Sequence, residues 1–308
     1  MGRVVGNVDS QVTGVLGATG LIGRCFLRNV SDGGDRRIVA FTRQKKHAHE
    51  KSDNNCAVRW RTLNLSDGCQ EPVLRDDDIQ TIEHWLCFTP IWVLPDYFSM
   101  LVRFGARRVV AISSTSRLTK ASSSDMSERL LARRLIEAEN KLIDWAGKSN
   151  IEWVILRPTL IYGCGADKNI SEVSRLIDRF GMLPVFGKAQ GLRQPVHASD
   201  VAEACRLALS ASAIRNKFYN ISGAEILPYR EMLSRVFIAM GRQPKFVRLP
   251  LAAFRIVVCF LHIFPRFSGV TVAIAERMNR NMIFTHKDAS HDFGYSPRAF
   301  VLEPEDLP

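Results

Sequence analysis

The chain has 308 residues, and its 42 Lys and Arg against 31 Asp and Glu give a formal net charge of +11. A hydrophobic fraction of 46% excludes a disordered chain, because such a composition can bury a sizeable core. Only 20 Gly and 13 Pro occur, without a period, which excludes a collagen-like or low-complexity sequence.

Short apolar segments alternate with amphipathic segments through the first half of the chain. The predicted strands cover 12–16, 37–42, 57–61, 82–88, 108–113 and 152–156. The predicted helices between them cover 21–30, 95–105 and 127–148. This alternation is typical of βαβ units, whose right-handed crossovers build a parallel sheet covered on both faces. The sequence therefore predicts an α/β fold with a doubly wound, Rossmann-like parallel sheet.

The length and spacing of the predicted strands change after residue 163. Helical patterns near 169–181, 199–211 and 229–240 are separated by short strand-like segments at 184–187, 193–197, 217–221 and 245–248. These strands are too short and dispersed for a second large sheet. We expect a Rossmann domain over 1–163 and a smaller substrate lobe over 164–308 that is interleaved with the last sheet strands.

Three glycines at a strand-to-helix junction form the most informative motif. An apolar strand runs into Gly17, and Gly20 and Gly23 follow at intervals of three before an apolar helix pattern. Such glycines permit a tight turn, a close approach of the backbone to a pyrophosphate, and close packing of the helix on the strand. The predicted dinucleotide contacts are Gly17, Thr19, Gly20, Leu21, Ile22, Gly23 and Arg24.

The end of the second strand indicates which dinucleotide binds. An acidic residue there would hold the ribose 2′-hydroxyl of NAD(H). This strand ends instead at Arg43, and Arg24 follows the last glycine, so we expect NADP(H) to be preferred while NAD(H) stays open. Asn64 and Leu65, after the third strand, are candidates for contact with the adenine edge, with a simple turn cap as the alternative.

Four further segments, at 110–116, 156–163, 194–202 and 218–223, carry a family resemblance. Together with the glycine motif, they resemble the extended and atypical short-chain dehydrogenase/reductase superfamily, and its NAD-dependent epimerase/dehydratase (nucleoside-diphosphate-sugar epimerase) branch in particular. The resemblance implies an NAD(P)-dependent oxidoreductase that acts on a nucleoside-diphosphate sugar.

The resemblance also implies roles for particular residues. The fifth strand would deliver catalytic hydroxyls, and the sixth-strand segment would join the cofactor and substrate sites. The residues so implicated are Ser113, Ser114 and Thr115 for catalysis, Arg157 and Pro158 for the cofactor, and Tyr162, Arg193 and His197 for the substrate. Independently of the resemblance, ligands of an open α/β sheet bind at the carboxyl ends of its strands, where 113–115 lie. Helix or turn capping is the alternative for these hydroxyls.

One departure from the family pattern affects catalysis. The family places a Tyr-x-x-x-Lys pair on the helix after the fifth strand, but alignment on Glu139 puts Leu131 and Leu135 at those positions. Three explanations stay open. Another group could supply the proton, with candidates Lys120, Tyr162, Asp125 and His197. A shifted helix could bring Arg133 or Arg134 to the ribose. Alternatively, the protein binds NADP(H) without turnover, as a structural or regulatory protein that resembles the NADPH-holding accessory subunit of respiratory complex I.

The remaining signals concern partners and location. No His, Cys and carboxylate spacing indicates a metal, and no nucleic-acid motif occurs. The longest uncharged stretch, 10–23, is shorter than the roughly 20 apolar residues of a membrane span, and no signal peptide is recognised, so we expect a cytoplasmic protein.

The apolar segment 249–264 lies within 242–280, which carries seven basic residues and one acid. It suits either peripheral contact with an anionic membrane, placing the protein at its inner face, or packing on the lobe or on a homodimer partner.

Overall fold

The computed structural model describes residues 12–31, 37–43, 58–63, 81–250 and 272–308. Within these ranges, seven parallel strands form one sheet in the spatial order β11-β6-β5-β4-β1-β2-β3. Its strands are β1 Thr13–Leu16, β2 Ile38–Thr42, β3 Val58–Thr62, β4 His84–Cys87, β5 Arg108–Ile112, β6 Glu152–Pro158 and β11 Lys217–Ile221.

The strand order reverses at β1, which pairs with β2 on one side and with β4 on the other. This arrangement, with strands running outward in both directions from the first, is the doubly wound Rossmann pattern. The predicted fold class is therefore confirmed. The carboxyl ends of β1 and β4 flank the reversal, and a ligand crevice is expected at this edge.

Helices cover both faces of the sheet and build the remaining structure. They are α1 Leu21–Ser31, α2 Phe98–Arg103, α3 Ser116–Thr119, α4 Met126–Lys148, α5 Ile170–Phe180, α6 Ala198–Ser210, α7 Tyr229–Ala239, α8 Val272–Asn279 and α9 Lys287–Phe293. A 3₁₀ turn over Leu94–Tyr97 leads into α2, and a second one at Pro304–Asp306 lies near the end of the chain.

Two apolar cores lie on the two faces of the sheet. On one face, α1 packs against α6, and Phe26 and Val201 are buried with alternate strand residues such as Val15. On the other face, α2 and α4 bury Leu101 and Leu135. Every residue of β1 and β5 is buried, and both strands are mainly apolar, as expected for parallel strands covered by helices on both faces.

The second half of the chain contributes both to this sheet and to a smaller lobe. β11 adds the seventh strand beside β6, and α6 covers the sheet. The lobe has its own core between α5, α7 and α8, with Ile177, Val236 and Phe237 buried. Its short strands are β7 Ile161–Tyr162, β8 Leu183–Phe186, β9 Leu192–Arg193, β10 Val196–His197, β12 Leu227–Pro228 and β13 Phe246–Leu249.

Cys25, Cys87, Cys164 and Cys205 are free thiols. In the parts of the chain that the structure describes, no helix is long and apolar enough to cross a membrane. The segment 249–264 lies outside the described residues from 251 onward, so its two interpretations stay as predictions.

Candidate functional site

The turn between β1 and α1 has a shape that requires glycine. Gly17 has φ +77°, and a Cβ there would lie 2.6 Å from the backbone nitrogen of Thr89. A Cβ on Gly23 would lie 2.4 Å from the carbonyl oxygen of Gly17. Because both neighbours are backbone atoms, rotation of a side chain cannot relieve these contacts. The turn therefore has the tight form and the close helix packing that a pyrophosphate-binding turn needs.

The other residues predicted at this turn lie at the amino end of α1. Gly20 and Arg24 are exposed, whereas Thr19, Leu21 and Ile22 are half-buried. The N–H of Gly20 donates to the carbonyl oxygen of Gly17 at 3.0 Å, which closes the turn. The unpaired N–H groups that begin a helix, together with its positive dipole end, suit a phosphate. The residues present therefore fit a dinucleotide.

Arg43 lies directly after β2 and is exposed. Since β2 pairs in parallel with β1, with Phe41 opposite Leu16, the end of β2 lies beside the glycine turn. Burial raises the pKa of Tyr97, and the positive charge of Arg43 partly offsets that effect. Asn64 and Leu65 lie outside the described residues, so their proposed adenine contact stays a prediction.

The hydroxyls predicted at the end of β5 have different partners. Ser113 donates to Oε1 of Glu139 at 2.5 Å and is buried. Thr115 donates to the carbonyl oxygen of Pro158 at 3.1 Å, and the Ser114 oxygen accepts a backbone N–H two residues on. Ser114 and Thr115 line a cavity, and Ser113 is not among the residues that line it. The structure thus brings two of the three hydroxyls to the cavity.

Glu139 is a fully buried carboxylate that connects α4 to two strands. Its oxygens accept from Arg117 at 2.6 Å, from Arg157 at 2.7 and 3.1 Å, and from Ser113. Arg157 is predicted to contact the cofactor. Its Nε and Nη2 donate to this carboxylate, and its Cζ lies 3.9 Å from the ring centroid of Phe218. The carboxylate therefore fixes Ser113 and both guanidinium groups in place.

Lys120 ends α3 and lines the cavity. Burial, and then the charge of Arg277, hold the pKa of its amine below the ordinary value of 10.5, while Asp125 acts in the opposite direction. Its Nζ lies 3.5 Å from Oε1 of Glu128. Asp125, another candidate proton donor, is the amino-terminal cap of α4 and accepts backbone N–H groups there.

The positions of the missing Tyr and Lys are filled by packing residues. Leu135 is buried and Leu131 is half-buried, and both pack into the apolar core under the sheet. Arg133 is exposed, and the guanidinium of Arg134 lies 4.6 Å from the ring centroid of Trp92. None of these four residues lines the cavity. The two leucines therefore act as packing residues of the core.

Tyr162 and His197 are buried in contact with each other and are not among the residues that line the cavity. The Tyr162 hydroxyl donates to the carbonyl oxygen of Val301 at 3.3 Å. His197 Nδ1 accepts from the N–H of Ser199 and so caps α6, while its Nε2 lies 3.0 Å from a carboxylate oxygen of Asp306. Their contacts connect β7 and α6 to the end of the chain.

The cavity has a volume of about 390 Å³ and lies between the sheet edge and the smaller lobe. Its polar wall includes Ser114, Thr115, Lys120, Asn169, Arg193, Gln194, Tyr229 and Arg277. Its apolar wall includes Leu160, Ile161, Met278, Met282 and Phe284. Three cations and no Asp or Glu are among its lining residues, so the cavity favours an anionic ligand.

Arg193, which the sequence predicts to contact the substrate, lines this cavity, although its guanidinium is strongly engaged by the protein. Its Nη1 donates to the carbonyl oxygens of Leu192 and Arg280, its Nη2 donates to the carbonyl oxygen of Arg277, and it lies 4.9 Å from the ring centroid of Tyr229. These partners are neutral, so the positive charge of the buried guanidinium is left without a carboxylate partner in these bonds.

Several lining residues were not singled out in the sequence, namely Asn169, Gln194, Tyr229, Met282 and Arg277. Arg277 lies in the basic stretch 242–280, so the charge pattern contained a signal for it. Tyr229 begins α7, and nothing in its local sequence distinguishes it from an ordinary helix residue.

These features define a class of protein: a Rossmann fold with a glycine turn suited to a dinucleotide and a ligand cavity at the carboxyl edge of its sheet. Residues 98–222 match the NAD dependent epimerase/dehydratase family. The resemblance drawn from the sequence is therefore confirmed.

Curated relatives share shorter regions with the chain. The match to UDP-glucose 4-epimerase of Vibrio cholerae is 25% identical and covers 39% of this chain and 37% of the relative. For 2-alkyl-3-oxoalkanoate reductase of Stenotrophomonas maltophilia (strain K279a) it is 30% identical and covers 51% of each. For the mitochondrial NADH dehydrogenase [ubiquinone] 1 alpha subcomplex subunit 9 of Arabidopsis thaliana it is 26% identical and covers 46% and 31%. The chain spans about half or less of the length of these relatives.

A solved structure extends the likeness in fold to nearly the whole chain. The UDP-glucuronic acid 4-epimerase from Bacillus cereus in complex with NAD superposes with a TM-score of 0.68 at 14% sequence identity, covering 96% of this chain and 95% of that one. At this identity the likeness shows the shared fold.

Proposed function

We propose that the protein is an NAD(P)-dependent oxidoreductase of the epimerase/dehydratase type and that its substrate is a nucleoside-diphosphate sugar. The observation that carries this proposal is the position of the cavity. Thr115 and Lys120 line it at the carboxyl end of β5, on the same edge of the sheet as the glycine turn that follows β1. A cofactor and a substrate bound at this edge would be neighbours.

The residues of the turn would hold the cofactor. The backbone from Gly17 to Gly23 would receive the pyrophosphate, and the cations Arg24 and Arg43 would favour a ribose 2′-phosphate, so that NADP(H) binds better than NAD(H). Once bound, the nicotinamide would supply hydride exchange with a substrate carbon.

The protein would also have to bind a substrate oxygen and transfer a proton to or from it. The Thr115 hydroxyl already donates to the carbonyl oxygen of Pro158, so its oxygen can accept a hydrogen bond from a hydroxyl of the substrate. Of the four alternative proton donors, Lys120 is the one among the cavity's residues. An ammonium whose pKa is lowered releases its proton more readily near neutral pH, which suits a general acid. We assign this role to Lys120.

Other predicted site residues act through position in this proposal. The positive charge of Arg193 would attract the substrate diphosphate, while Ser113 and Arg157 hold Glu139 beneath the site. The contacts of Tyr162 and His197 would hold β7 in place, and Ile161 of this strand lines the cavity together with Leu160.

A second candidate function is non-catalytic binding of NADP(H). The observation that favours it is the pair Leu131 and Leu135, which fill the Tyr and Lys positions with core packing. The relative from Arabidopsis thaliana, named as a subunit of NADH dehydrogenase, agrees with a structural role. In this case, the glycine turn would bind the cofactor and no substrate would be converted in the cavity.

Charge reversal at the turn tests the cofactor site shared by both candidates. Arg24→Glu places a carboxylate near the phosphates, so we expect NADPH affinity to fall by roughly tenfold or more, as for loss of a charge-assisted bond. Arg28→Glu, one turn further on the same helix and equally exposed, is the matched control and should have a much smaller effect. Titration monitored by nicotinamide fluorescence gives both affinities. Equal losses in the two variants would contradict a phosphate site at Arg24.

A further inference from the structure

Two cysteines that are 139 positions apart in the sequence have neighbouring sulfur atoms. Sγ of Cys25, in α1, lies 3.0 Å from Sγ of Cys164, which lies two residues after β7. Both are free thiols. Since the S–S bond of a disulfide is about 2.05 Å long, the two sulfur atoms would have to approach each other by only about 1 Å to form one.

The backbone holds Cys164 in this position. Cys164 has φ +55°, in the left-handed region that residues with a Cβ rarely adopt. Its N–H donates to Oδ1 of Asp306 at 3.1 Å, and the same oxygen lies 3.0 Å from Nε2 of His197. Gly165 is also left-handed, and a Cβ there would lie 2.6 Å from a backbone carbonyl oxygen near the end of the chain. These contacts fix the segment, so the Cys164 thiol is held beside Cys25.

The two thiols differ in their access to solvent. Cys25 is only 2% exposed, whereas Cys164 is half-buried. Burial, and then the hydrogen bond to Cys164, raise the pKa of the Cys25 thiol, while the Ser199 hydroxyl and the charge of Arg28 act in the opposite direction. Cys25 is therefore a protonated thiol near neutral pH. A small oxidant from solvent reaches Cys164 first, and Cys25 is the neighbouring thiol that can complete the reaction.

Two further thiols are closed to solvent. Cys87 in β4 and Cys205 in α6 are both fully buried, and burial raises the pKa of each. Buried, protonated thiols of this kind react slowly with oxidants. They therefore provide an internal comparison for the reactivity of Cys25 and Cys164.

We propose that Cys25 and Cys164 form a redox-active dithiol, which a peroxide oxidises reversibly to a disulfide that joins α1 to the segment after β7. First, the Cys164 sulfur attacks one oxygen of hydrogen peroxide, the O–O bond breaks, and water leaves, so that Cys164 becomes a sulfenic acid. The Cys25 sulfur then attacks the Cys164 sulfur, the S–O bond breaks, and the hydroxyl leaves with the Cys25 proton as a second water. The two thiols lose two electrons and the peroxide gains them. Two equivalents of a thiol reductant return two electrons and two protons.

The disulfide would connect two parts of the candidate site. Cys25 directly follows Arg24 on the helix of the glycine turn, and Cys164 follows β7, whose Ile161 lines the cavity. A crosslink across so long a stretch of sequence restricts the unfolded chain strongly. The oxidised protein should therefore unfold at a higher temperature than the reduced protein.

Mass spectrometry of the full chain tests the assignment. The native protein is incubated with hydrogen peroxide, the remaining thiols are alkylated in denaturant, and the protein is digested. We expect a peptide pair joined through Cys25 and Cys164, with the mass of the two reduced peptides less two hydrogen atoms. Treatment with dithiothreitol before alkylation should remove it, and Cys87 and Cys205 should be recovered as alkylated thiols.

Single substitutions separate the roles of the two thiols. In Cys25→Ser, oxidation of Cys164 should stop at the sulfenic acid, which dimedone traps. In Cys164→Ser, Cys25 should remain a thiol. Cys205→Ser is the matched control and should form the same disulfide as the wild type. A cooperative thermal transition shows that each variant is folded, and the measurement on the wild type needs no substitution.

Thermal unfolding tests the constraint on the fold. Oxidation should raise the Tm of the wild-type protein by roughly 5 °C or more, and dithiothreitol should reverse the rise. Cys164→Ser, treated with peroxide in the same way, should show no such rise. This variant also reports any effect of peroxide on other side chains.

Three results would overturn the proposal. Recovery of Cys25 and Cys164 as thiols after peroxide treatment would show that the pair is not redox-active. Linkage of either residue to Cys56, Cys69 or Cys259 would assign a different disulfide. An unchanged Tm in the oxidised wild type would contradict the joining of α1 to the segment after β7. None of these measurements involves a dinucleotide or a sugar, so their outcome is independent of the proposed function.

Discussion

Arg43 and Lys120 carry the two proposals that concern single residues of this site. The sequence singled out both as candidates, because each follows a recognisable strand: Arg43 lies directly after β2, and Lys120 lies shortly after β5. It could not separate Lys120 from Tyr162 and His197 as proton donors. That distinction depends on which side chains reach the cavity and which are used in tertiary contacts, and these contacts join residues more than 100 positions apart.

Replacing Arg43 tests the choice of cofactor. In Arg43→Ala we expect NADPH affinity to fall roughly 10- to 100-fold, since a hydrogen bond to a charged group is worth about 1.5–3 kcal/mol. NADH affinity should change little, because it lacks the 2′-phosphate. Arg37→Ala, at the opposite end of β2 and also exposed, is the control. Equal weakening of both nucleotides by Arg43→Ala, in fluorescence titrations, would exclude the 2′-phosphate contact.

The proposed role of Lys120 as a general acid implies that turnover depends on pH. The amine donates a proton only while it is charged, and burial has lowered its pKa below the ordinary 10.5. Turnover should therefore decline as pH rises through this lowered pKa, earlier than for an exposed lysine. Lys120→Met should remove this alkaline limb and most activity, whereas Lys141→Met, exposed on α4, should keep the wild-type profile. An alkaline limb that persists in Lys120→Met would assign the proton to another group.

At the scale of helices and strands, the sequence predicted most of the Rossmann sheet. Strands such as β5 are buried on both faces, so their apolar runs are continuous, and α4 has an Asp cap and an amphipathic pattern. Shorter elements were missed. The predicted strand at 193–197 is divided into β9 and β10, and the four-residue helix α3 was not recognised, because such short pieces are fixed by packing.

Glu139 joins several of these elements, and its removal tests how strongly. Glu139→Gln takes away the negative charge that pairs with Arg117 and Arg157, which leaves two poorly compensated cations at a buried position. We expect a loss of about 3–5 kcal/mol in the free energy of unfolding, measured by denaturant titration. Glu137→Gln, exposed on the same helix, should change it by less than about 0.5 kcal/mol. Similar values for the two variants would contradict the buried network.

At the scale of the whole molecule, the cavity lies between the sheet and the smaller lobe. The +11 charge noted at the outset has specific locations in this arrangement, at the exposed Arg24 and Arg43 beside the glycine turn and at Lys120, Arg193 and Arg277 in the cavity wall. The sequence predicted the turn from local spacing. The cavity required the tertiary fold, since its walls come from α3, β7, β9, α7 and α8.

We expect the chain to perform hydride chemistry on a nucleotide sugar instead of only binding a dinucleotide. The direct measurement uses NADPH deuterated at nicotinamide C4, incubated with the protein and UDP-linked 4-keto sugars, followed by mass spectrometry of the sugar nucleotides. We expect products that carry one deuterium with the wild-type protein and almost none with Lys120→Met. Binding of NADPH without deuterium in any sugar product would contradict hydride transfer to these sugars and would favour the non-catalytic alternative.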